Sequence, residues 1–282
     1  MLIVPYNEIQ NRQNKRTGQA VRPSRSVQKK YRNALYDITR LLGRHTQELI
    51  SLQAQQNQFT QQAFLLKLQE LIQSSEQQIA GEAERIAQQF VDDANIQNKN
   101  RFESMLKQSL NVSTLISGVG APEANLNLAL QSTKLTNVGL IKSIGSEHWS
   151  KVLIAVNQAA AGTLGEPLTT RLKKIGGITT RRAKLIARDQ TAKATSQMNQ
   201  ARMMDSGIKS YTWRTSEDER VVGNPSGLYP KGSRAHRNHY ARNGKTFYWD
   251  QPPSDGHPGE PIQCRCIAIP NIDKNELNLQ VM

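Results

Sequence analysis

The longest repeating pattern of apolar residues lies between residues 60 and 91. Its apolar positions recur at intervals of about seven residues and fall near one face of a helix. They are Leu65, Leu68, Ile72, Ile79, Ile86 and Phe90. No proline interrupts the chain between Pro23 and Pro122. The pattern therefore predicts one long helix or a helical hairpin over residues 34–116.

The polar positions of this helical region are rich in glutamine, with thirteen between Gln53 and Gln97. Glutamine is a good helix former, so the tract predicts a helix with an uncharged polar face rather than a prion-like segment. An apolar stripe this narrow is not expected to be buried within a monomer of this length. We therefore expect residues 60–91 to pack on a second helix, on another copy of the chain, or on a partner protein.

The segment SGVGAPEANLN begins a predicted hinge over residues 117–136. Beyond it, the helical pattern is divided into two or three short helices by Gly162, Gly165, Pro167 and the Gly176-Gly177 pair, and a longer helix is predicted to end at Gly207. IKSYTWRTS, KTFYW and CRCIAIP alternate as short strands do. The predicted fold class is α+β. A long, mainly helical N-terminal region precedes a small mixed domain of short strands and long loops over residues 137–270, and a tail follows over residues 271–282.

The composition of the 282 residues agrees with this division. With 37% apolar and 5% aromatic residues, the chain has less core-forming material than its length could support. We therefore expect a long helical arm attached to a smaller compact domain. The longest apolar runs are only a few residues long, so we expect no membrane span and no secretory leader. The expected compartment is a cytosol.

Positive charge is concentrated towards the two ends of the chain, whose net charge is +14. Residues 1–46 contain ten Lys or Arg and two acidic residues, whereas residues 47–178 contain eleven of each. Residues 1–33 combine basic residues with Gly, Pro and Ser, which is typical of a flexible basic arm. Such an arm can bind DNA phosphates by releasing counterions, or it can dock on an acidic protein surface. The candidate DNA contacts are Arg12, Lys15, Arg16, Arg22, Arg25, Lys29, Lys30 and Arg32.

The two cysteines of the chain are separated by a single arginine. In an extended segment their side chains point to the same face, so both sulfur atoms can bind one centre. Three of the five histidines lie close by in the sequence, and two thiolates with two imidazoles are a usual ligand set for a closed, structural zinc site. The candidate ligands are His236, His239, His257, Cys264 and Cys266.

Two other interpretations of the cysteines stay open. Cys-x-Cys is not the common spacing of zinc ligands, and buried free cysteines usually pack as small apolar side chains. A disulfide between them would close a cramped ring, far from relaxed disulfide geometry. The disulfide is therefore the least favoured of the three interpretations.

A second polar cluster is TSEDER, in which Asp218 and Arg220 follow a predicted strand. Arg188 and Asp189, in the middle of a predicted helix, are expected to meet it. Nuclease chemistry there would need a general base and a nucleophile, or carboxylates that hold metal ions. We favour a buried Asp–Arg pair that fixes the helix to the sheet. The aromatic residues of this half are expected in the core rather than stacked on bases; they are Trp149, Trp213, Phe247 and Trp249.

Several motifs follow one another in the carboxyl-terminal half. They are LIAR in a helix, a GI dipeptide, W-x-T-S-x-D-x-R, HYARNGKTF, PPSDGHPG and CRCIAIP. Their order and spacing resemble the phage head morphogenesis family, the minor head proteins similar to protein F of phage Mu. The resemblance covers roughly residues 137–270. The chain departs from the family pattern at Ala187-Arg188-Asp189-Gln190, where family members have Ala-Arg-Thr-Glu, so a role of that glutamate does not carry over.

The resemblance implies a virion protein present in few copies, associated with the portal inside the procapsid, and not an enzyme. Its implied partners are the portal protein, the scaffold or the major capsid protein, and its implied location is the capsid interior, after assembly in the host cytoplasm. We expect the helical region to dock on the portal or scaffold while basic surfaces face packaged DNA. Two alternatives stay open: a DNA-binding ejection protein delivered with the genome, and a metal-dependent nuclease or toxin-like enzyme.

Overall fold

The computed structural model describes residues 2–4, 15–54, 61–112, 116–117, 124–231, 238–273, 275–277 and 279–281. The fold is α+β, as predicted. The helices are α1 (Arg25–Ala54), α2 (Gln61–Leu110), α3 (Ala124–Ala160) and α4 (Leu168–Asp205). The strands are β1 (Leu2–Val4), β2 (Lys15–Thr17), β3 (Ile116–Ser117), β4 (Ser210–Arg214), β5 (Thr246–Tyr248), β6 (Ile267–Asp273) and β7 (Leu279–Val281).

The described strands form two small sheets. The larger has the order β2-β6-β4-β5, and all its neighbouring strands are antiparallel. Its central strands β4 and β6 are in a register that places Tyr211 opposite Pro270 and Trp213 opposite Ala268. The smaller sheet has the order β3-β1-β7, in which β1 is antiparallel to β3 and parallel to β7. The three strands predicted after Gly207 are confirmed as β4, β5 and β6.

The chain divides into two compact units, and each is assembled from separate segments. Unit 1 consists of Met1–Val27, Val91–Thr133 and Asp189–Met282, and unit 2 consists of Gln28–Phe90 and Lys134–Arg188. Neither unit coincides with one of the contiguous segments expected from composition. Composition changes locally along a chain, whereas contacts between distant segments define a compact unit.

Most of the apolar stripe of α2, although not Leu65 at its start, is buried within unit 2 by helices of the same chain. The side chains of Ile79 and Ile86 are 1% and 5% exposed. Phe90 stacks on Tyr31 of α1 with ring centroids 4.2 Å apart, and a Cβ atom added at Gly145 of α3 would lie 2.7 Å from Cδ1 of Ile79. The expected second helix is therefore in this chain. The premise that a monomer could not bury the stripe is wrong, and self-association through residues 60–91 is not needed to cover it.

Helix α1 begins earlier than the sequence predicted, so residues 25–33 of the expected flexible arm are helical. Ser24 caps the helix, since its Oγ accepts a hydrogen bond from the N–H of Val27 at 3.5 Å. Val27 and Tyr31 are both only 3% exposed. Lys29 and Lys30 between them face solvent. Composition alone therefore suggested an arm where an amphipathic helix begins.

Helix α3 begins at Ala124, inside the predicted hinge, and continues to Ala160. The break predicted at Gly162, Gly165 and Pro167 is confirmed, because α3 ends at Ala160 and α4 begins at Leu168. The break predicted at Gly176-Gly177 is wrong, because α4 continues through that pair. Gly139 and Gly145 lie within α3. Gly145 is buried, where it permits close contact with Ile79. Both glycines are tolerated because tertiary packing outweighs their low helix propensity.

The predicted end of the long helix at Gly207 is confirmed. Gly207 has a φ of 85°, in the left-handed region that favours glycine. Its N–H donates to the carbonyl of Met204 at 3.0 Å, and the N–H of Ile208 donates to the carbonyl of Met203 at 2.8 Å. This is a Schellman motif, and Met203 and Ile208 are both buried in the unit 1 core. The motif directs the chain from α4 into β4.

Candidate metal centre

The two cysteines lie immediately before β6, and both belong to the apolar core of unit 1. Cys264 and Cys266 are 8% and 7% exposed, and both are free thiols. Arg265 between them faces solvent. The predicted alternation is therefore confirmed, although these residues precede the strand rather than form part of it. A disulfide is absent from this pair.

His239 is the side chain that joins the two sulfur atoms. It lies just before a short 3-10 helix, Tyr240–Arg242, and it is 3% exposed. Its Nδ1 atom is 3.7 Å from Sγ of Cys264 and 3.6 Å from Sγ of Cys266. All three donor atoms lie within 4.8 Å of one another. The cluster can hold a metal ion.

Asp255 binds the other side of the imidazole and sets its orientation. Nε2 of His239 lies 3.1 Å from Oδ2 of Asp255, and the carboxylate is also 2.7 Å from Nη1 of Arg242. Since a carboxylate accepts hydrogen bonds, Nε2 holds a proton, and a neutral His239 therefore turns the lone pair of Nδ1 towards the sulfur atoms. Metal-binding histidines usually have such a carboxylate partner.

Aromatic packing closes the cluster from solvent. The ring of Trp213 meets His239 edge to face with centroids 5.2 Å apart, and the guanidinium carbon of Arg242 lies 4.8 Å from the Trp213 ring centroid. Trp213 itself is fully buried. Among the described residues, a cavity lined by both cysteines has a volume of about 40 Å³, far below the roughly 300–1,000 Å³ typical of ligand pockets.

The directions of the pKa shifts in the cluster favour a single thiolate, at Cys264. The hydrogen bond with Cys266, together with His239, lowers the pKa of Cys264 well below its ordinary value despite burial. The hydrogen bond with the Cys264 thiolate, together with burial, raises the pKa of Cys266. Burial alone would lower the pKa of His239, but its bonds with Cys264 and Asp255 outweigh that effect and raise it. The first thiol is therefore already prepared to act as an anionic ligand.

The other two predicted histidines do not join the described cluster. His257 contacts Tyr211 and Gln200 instead: its Nδ1 is 2.8 Å from the Tyr211 hydroxyl and its Nε2 is 3.5 Å from Nε2 of Gln200. Burial lowers the pKa of His257, which favours the neutral form that such contacts use. Both ring nitrogens of His257 are thus directed to Tyr211 and Gln200 rather than to the sulfur atoms. His236 lies outside the described residues.

The second polar cluster is arranged differently from the prediction. Asp218 forms an ion pair with Arg265, and the two side chains are 39% and 40% exposed. Asp189 is buried, where it accepts a hydrogen bond from the N–H of Gln263 at 2.7 Å and lies 2.9 Å from Nζ of Lys193. The expected buried Asp–Arg pair is therefore a half-exposed pair, because the arginine between the cysteines reaches Asp218 on the solvent side.

Sequence patterns did not identify Asp255, Arg242 or Arg265 as parts of this region. Asp255 does lie in PPSDGHPG, two residues before a histidine, which is a signal for a carboxylate near a metal ligand. Spacing could not show that the carboxylate contacts His239 rather than His257. That assignment depends on how the long loop folds over β4 and β6.

The basic candidates for DNA contact have mixed positions. Arg22, Arg25, Lys29 and Lys30 are exposed, and Arg32 is partly buried. The backbones of Lys15 and Arg16 lie in β2. Arg12 lies outside the described residues. No helix in the described part of the chain is long and apolar enough to span a membrane.

A protein of Haemophilus influenzae, described as uncharacterized, is 34% identical to this chain over 214 residues. The matched part is 75% of this chain and 44% of the relative, so the chain spans less than half of the relative's length. No protein-family model matches the chain. No solved structure matches it either.

Proposed function

We propose that this chain is a minor head protein of a tailed phage or prophage, a structural component that acts beside the portal inside the procapsid. The observation that supports this role best is the convergence of the motifs in the resemblance. Gln263, in the segment between PPSDGHPG and CRCIAIP, binds Asp189 just after LIAR, and Arg265 of CRC binds Asp218 of W-x-T-S-x-D-x-R. Segments that contain these motifs or directly adjoin them thus contact one another although they are far apart in sequence.

The centre of this assembly links three of the motifs. His239 of HYARNGKTF contacts both cysteines and also Asp255 of PPSDGHPG. A chance collection of short motifs has no reason to meet around one histidine. The convergence therefore supports treating the motifs as one structural signature, and it favours a structural role over an enzymatic one because the cluster is buried.

Deletion of the gene from an inducible phage or prophage tests the head role. We expect a large loss of infectious particles, empty or aberrant heads by electron microscopy, and detection of the wild-type protein in purified virions by mass spectrometry. Complementation with the wild-type gene is the control. A normal titre together with absence of the protein from virions would contradict the role. Cross-linking within procapsids identifies whether the portal, scaffold or major capsid protein is the partner.

Two other functions make distinct predictions in the same system. An ejection protein would be found inside infected cells with the incoming genome, which labelled virions reveal. A nuclease would cut plasmid DNA when divalent metal ions are added to the purified protein. The burial of His239, Cys264 and Cys266 favours neither, because a substrate needs access to its metal centre.

We further propose that the metal is zinc and that it stabilises the structure of unit 1. In tetrahedral zinc coordination, Zn–S of about 2.3 Å and Zn–N of about 2.0 Å separate the sulfur and nitrogen ligands by about 3.5 Å. The distances of 3.7 and 3.6 Å between Nδ1 of His239 and the two sulfur atoms agree with this value. Soft thiolate ligands with an imidazole favour zinc over magnesium or calcium.

Metal analysis of the purified full chain tests the zinc proposal. We expect about one zinc per chain, and strong loss of zinc in Cys264→Ser and Cys266→Ser. His257→Gln is the matched control and is expected to retain zinc, because His257 contacts Tyr211 instead of the sulfur atoms. His236→Ala tests the predicted fourth ligand. Absence of zinc from protein purified without chelators, or equal zinc in the cysteine variants, would refute the site.

A further inference from the structure

The N-terminal half of α4 has an exposed face whose charged residues are all basic. Residues 168–188 contain seven Lys or Arg and no acidic residue. Four of the exposed basic residues, at about 100° per residue, fall within an arc of about 80° on the helix. They extend over about 22 Å of its length. We call these four residues the α4 stripe: Lys173, Arg181, Lys184 and Arg188.

The α4 stripe is not neutralised by neighbouring carboxylates. The three other basic residues of this segment have acidic partners: Arg171 and Lys174 bind Glu166 at 2.9 and 2.6 Å, and Arg182 binds Glu147 at 2.7 Å. Across the described part of the chain, no carboxylate forms an ion pair with any of the four stripe residues. The paired and unpaired cations are therefore distinct sets on the helix, and the stripe keeps its full positive charge.

The opposite face of this half-helix is packed in unit 2, so the stripe has a firm support. The buried residues of that face are Leu172, Ile175, Thr179, Ala183 and Ile186. At the centre of the stripe, Gly177 is exposed and has no side chain, and a Cβ atom added there would lie 3.7 Å from Nη1 of Arg181. Because Gly177 has no side chain, a phosphate backbone can approach the helix closely at this point.

We propose that the α4 stripe binds the phosphate backbone of double-stranded DNA without reading its sequence. A length of about 22 Å matches about six base-pair steps of 3.4 Å, so all four cations can reach phosphates of one duplex. Contacts of these cations with phosphate oxygens position DNA without distinguishing its bases. This proposal rests on the proposed head function. It adds to that function a surface for packaged DNA outside residues 1–33.

The salt dependence of DNA binding by the full chain tests the stripe directly. Fluorescence anisotropy with a labelled random-sequence duplex gives the slope of log Kobs against log salt concentration. In the variant K173A/R181A/K184A/R188A, we expect the slope to become less negative by about 3.6, which is about 0.9 for each phosphate that the protein no longer neutralises. The substitutions lie on the exposed face, and circular dichroism verifies that the variant remains folded.

A second variant controls for the removal of positive charge. In R171A/K174A/R182A the removed cations are those already paired with Glu166 and Glu147, so we expect the slope to change by less than about 1. Equal slopes for the wild type and the stripe variant would overturn the proposal. Equal changes in both variants would overturn it as well, since that result reflects net charge rather than a defined surface.

Binding to vesicles that contain phosphatidylserine tests whether the stripe contacts an anionic membrane instead of DNA. If the stripe variant no longer binds vesicles but keeps wild-type DNA binding, the surface is a membrane contact and the DNA proposal is wrong. Absence of DNA binding by the wild-type chain at low salt also overturns the proposal. That outcome does not contradict the proposed head function, because gene deletion tests the head function separately, through the number of infectious particles.

Discussion

At the scale of single residues, the orientation of His239 depends on Asp255. The carboxylate fixes a proton on Nε2 and leaves Nδ1 to the two sulfur atoms. Without that partner, the ring could rotate or exchange its tautomer, and the donor geometry would be disrupted. Asp255 would therefore act on a bound metal ion through the histidine, as a positioning residue.

Zinc affinity is expected to fall by about 10- to 100-fold in Asp255→Ala, because partners of metal-binding histidines have effects of this size. Asp255→Asn should reduce affinity less, since its amide oxygen still accepts the Nε2 proton. Competition with a chromophoric chelator measures both affinities. Asp250→Asn, at an exposed position of the same loop, is the control with wild-type affinity. Wild-type affinity in the alanine variant would show that Asp255 does not position the ligand.

A second residue-scale effect belongs to unit 2, where His148 is 1% exposed. Its two ring nitrogens each lie 2.9 Å from a threonine hydroxyl, of Thr46 and Thr179. Burial, helped by the positive charge of Lys151, lowers the pKa of His148 from 6.5 to about 4. The folded protein therefore keeps this imidazole neutral at pH values where the unfolded chain is already protonated.

The stability of unit 2 should fall as the pH decreases from about 6.5 to about 4, by up to about 3 kcal/mol from this residue. The sign follows because only the unfolded state binds the proton in that window. In His148→Gln this contribution to the pH dependence should disappear. Urea unfolding at neutral pH and near pH 4 measures the difference. The same pH dependence in variant and wild type would contradict the assignment.

At the scale of elements, tertiary packing determines which apolar positions of a helix are buried, and the sequence pattern alone does not. The sevenfold spacing in α2 correctly selected Ile79 and Ile86, but Leu65 at the start of the series is 45% exposed. A straight helix has 3.6 residues per turn, so a strict sevenfold series drifts away from one face over several turns. The start of α1 illustrates the converse. Val27 and Tyr31 have the four-residue spacing of a helix, but the basic residues around them led to the prediction of a flexible arm.

Two glycines in α3 provide a matched pair at this scale. Gly139→Ala should stabilise the protein by up to about 1 kcal/mol, since no atom lies within 4 Å of the added Cβ and alanine has the higher helix propensity. Gly145→Ala should destabilise it by roughly 1–3 kcal/mol, because the added Cβ would lie 2.7 Å from Cδ1 of the buried Ile79. Denaturant unfolding compares the two. Equal stabilisation would mean that α3 does not pack on Ile79 as described.

At the scale of the whole molecule, sequence was sufficient for the fold class and for placing the two cysteines on one face. It predicted the strands of the larger sheet that follow α4 because turn residues bound them clearly. It could not predict that unit 1 contains Val91–Thr133 together with the carboxyl-terminal part, since this depends on contacts between distant segments. For the same reason, the sequence could not rank the candidate ligands, and only the geometry shows that His239 lies beside the two sulfur atoms while His257 contacts Tyr211.

The location of the cluster in unit 1 predicts a local response to metal removal. After chelation of the full chain, we expect faster hydrogen exchange in residues 239–266, because the loop and the segment before β6 are then without a common anchor. The buried part of α3 in unit 2, residues 141–156, should keep its protection. In the double variant C264S/C266S, the chelator should cause no further change. Uniform acceleration over the whole chain would contradict a local role.

The separation of His239 from Cys264 along the chain has an energetic consequence. The intervening residues contain one 3-10 turn and the three-residue strand β5 as their regular structure. A bound zinc ion is a cross-link between the two ends of this stretch, and it reduces the conformational entropy of the unfolded chain. For a loop of about 25 residues, closure of this kind is worth about 3.5 kcal/mol. Where reducing conditions prevent disulfides, the metal can thus supply a constraint that a weakly structured segment would otherwise lack.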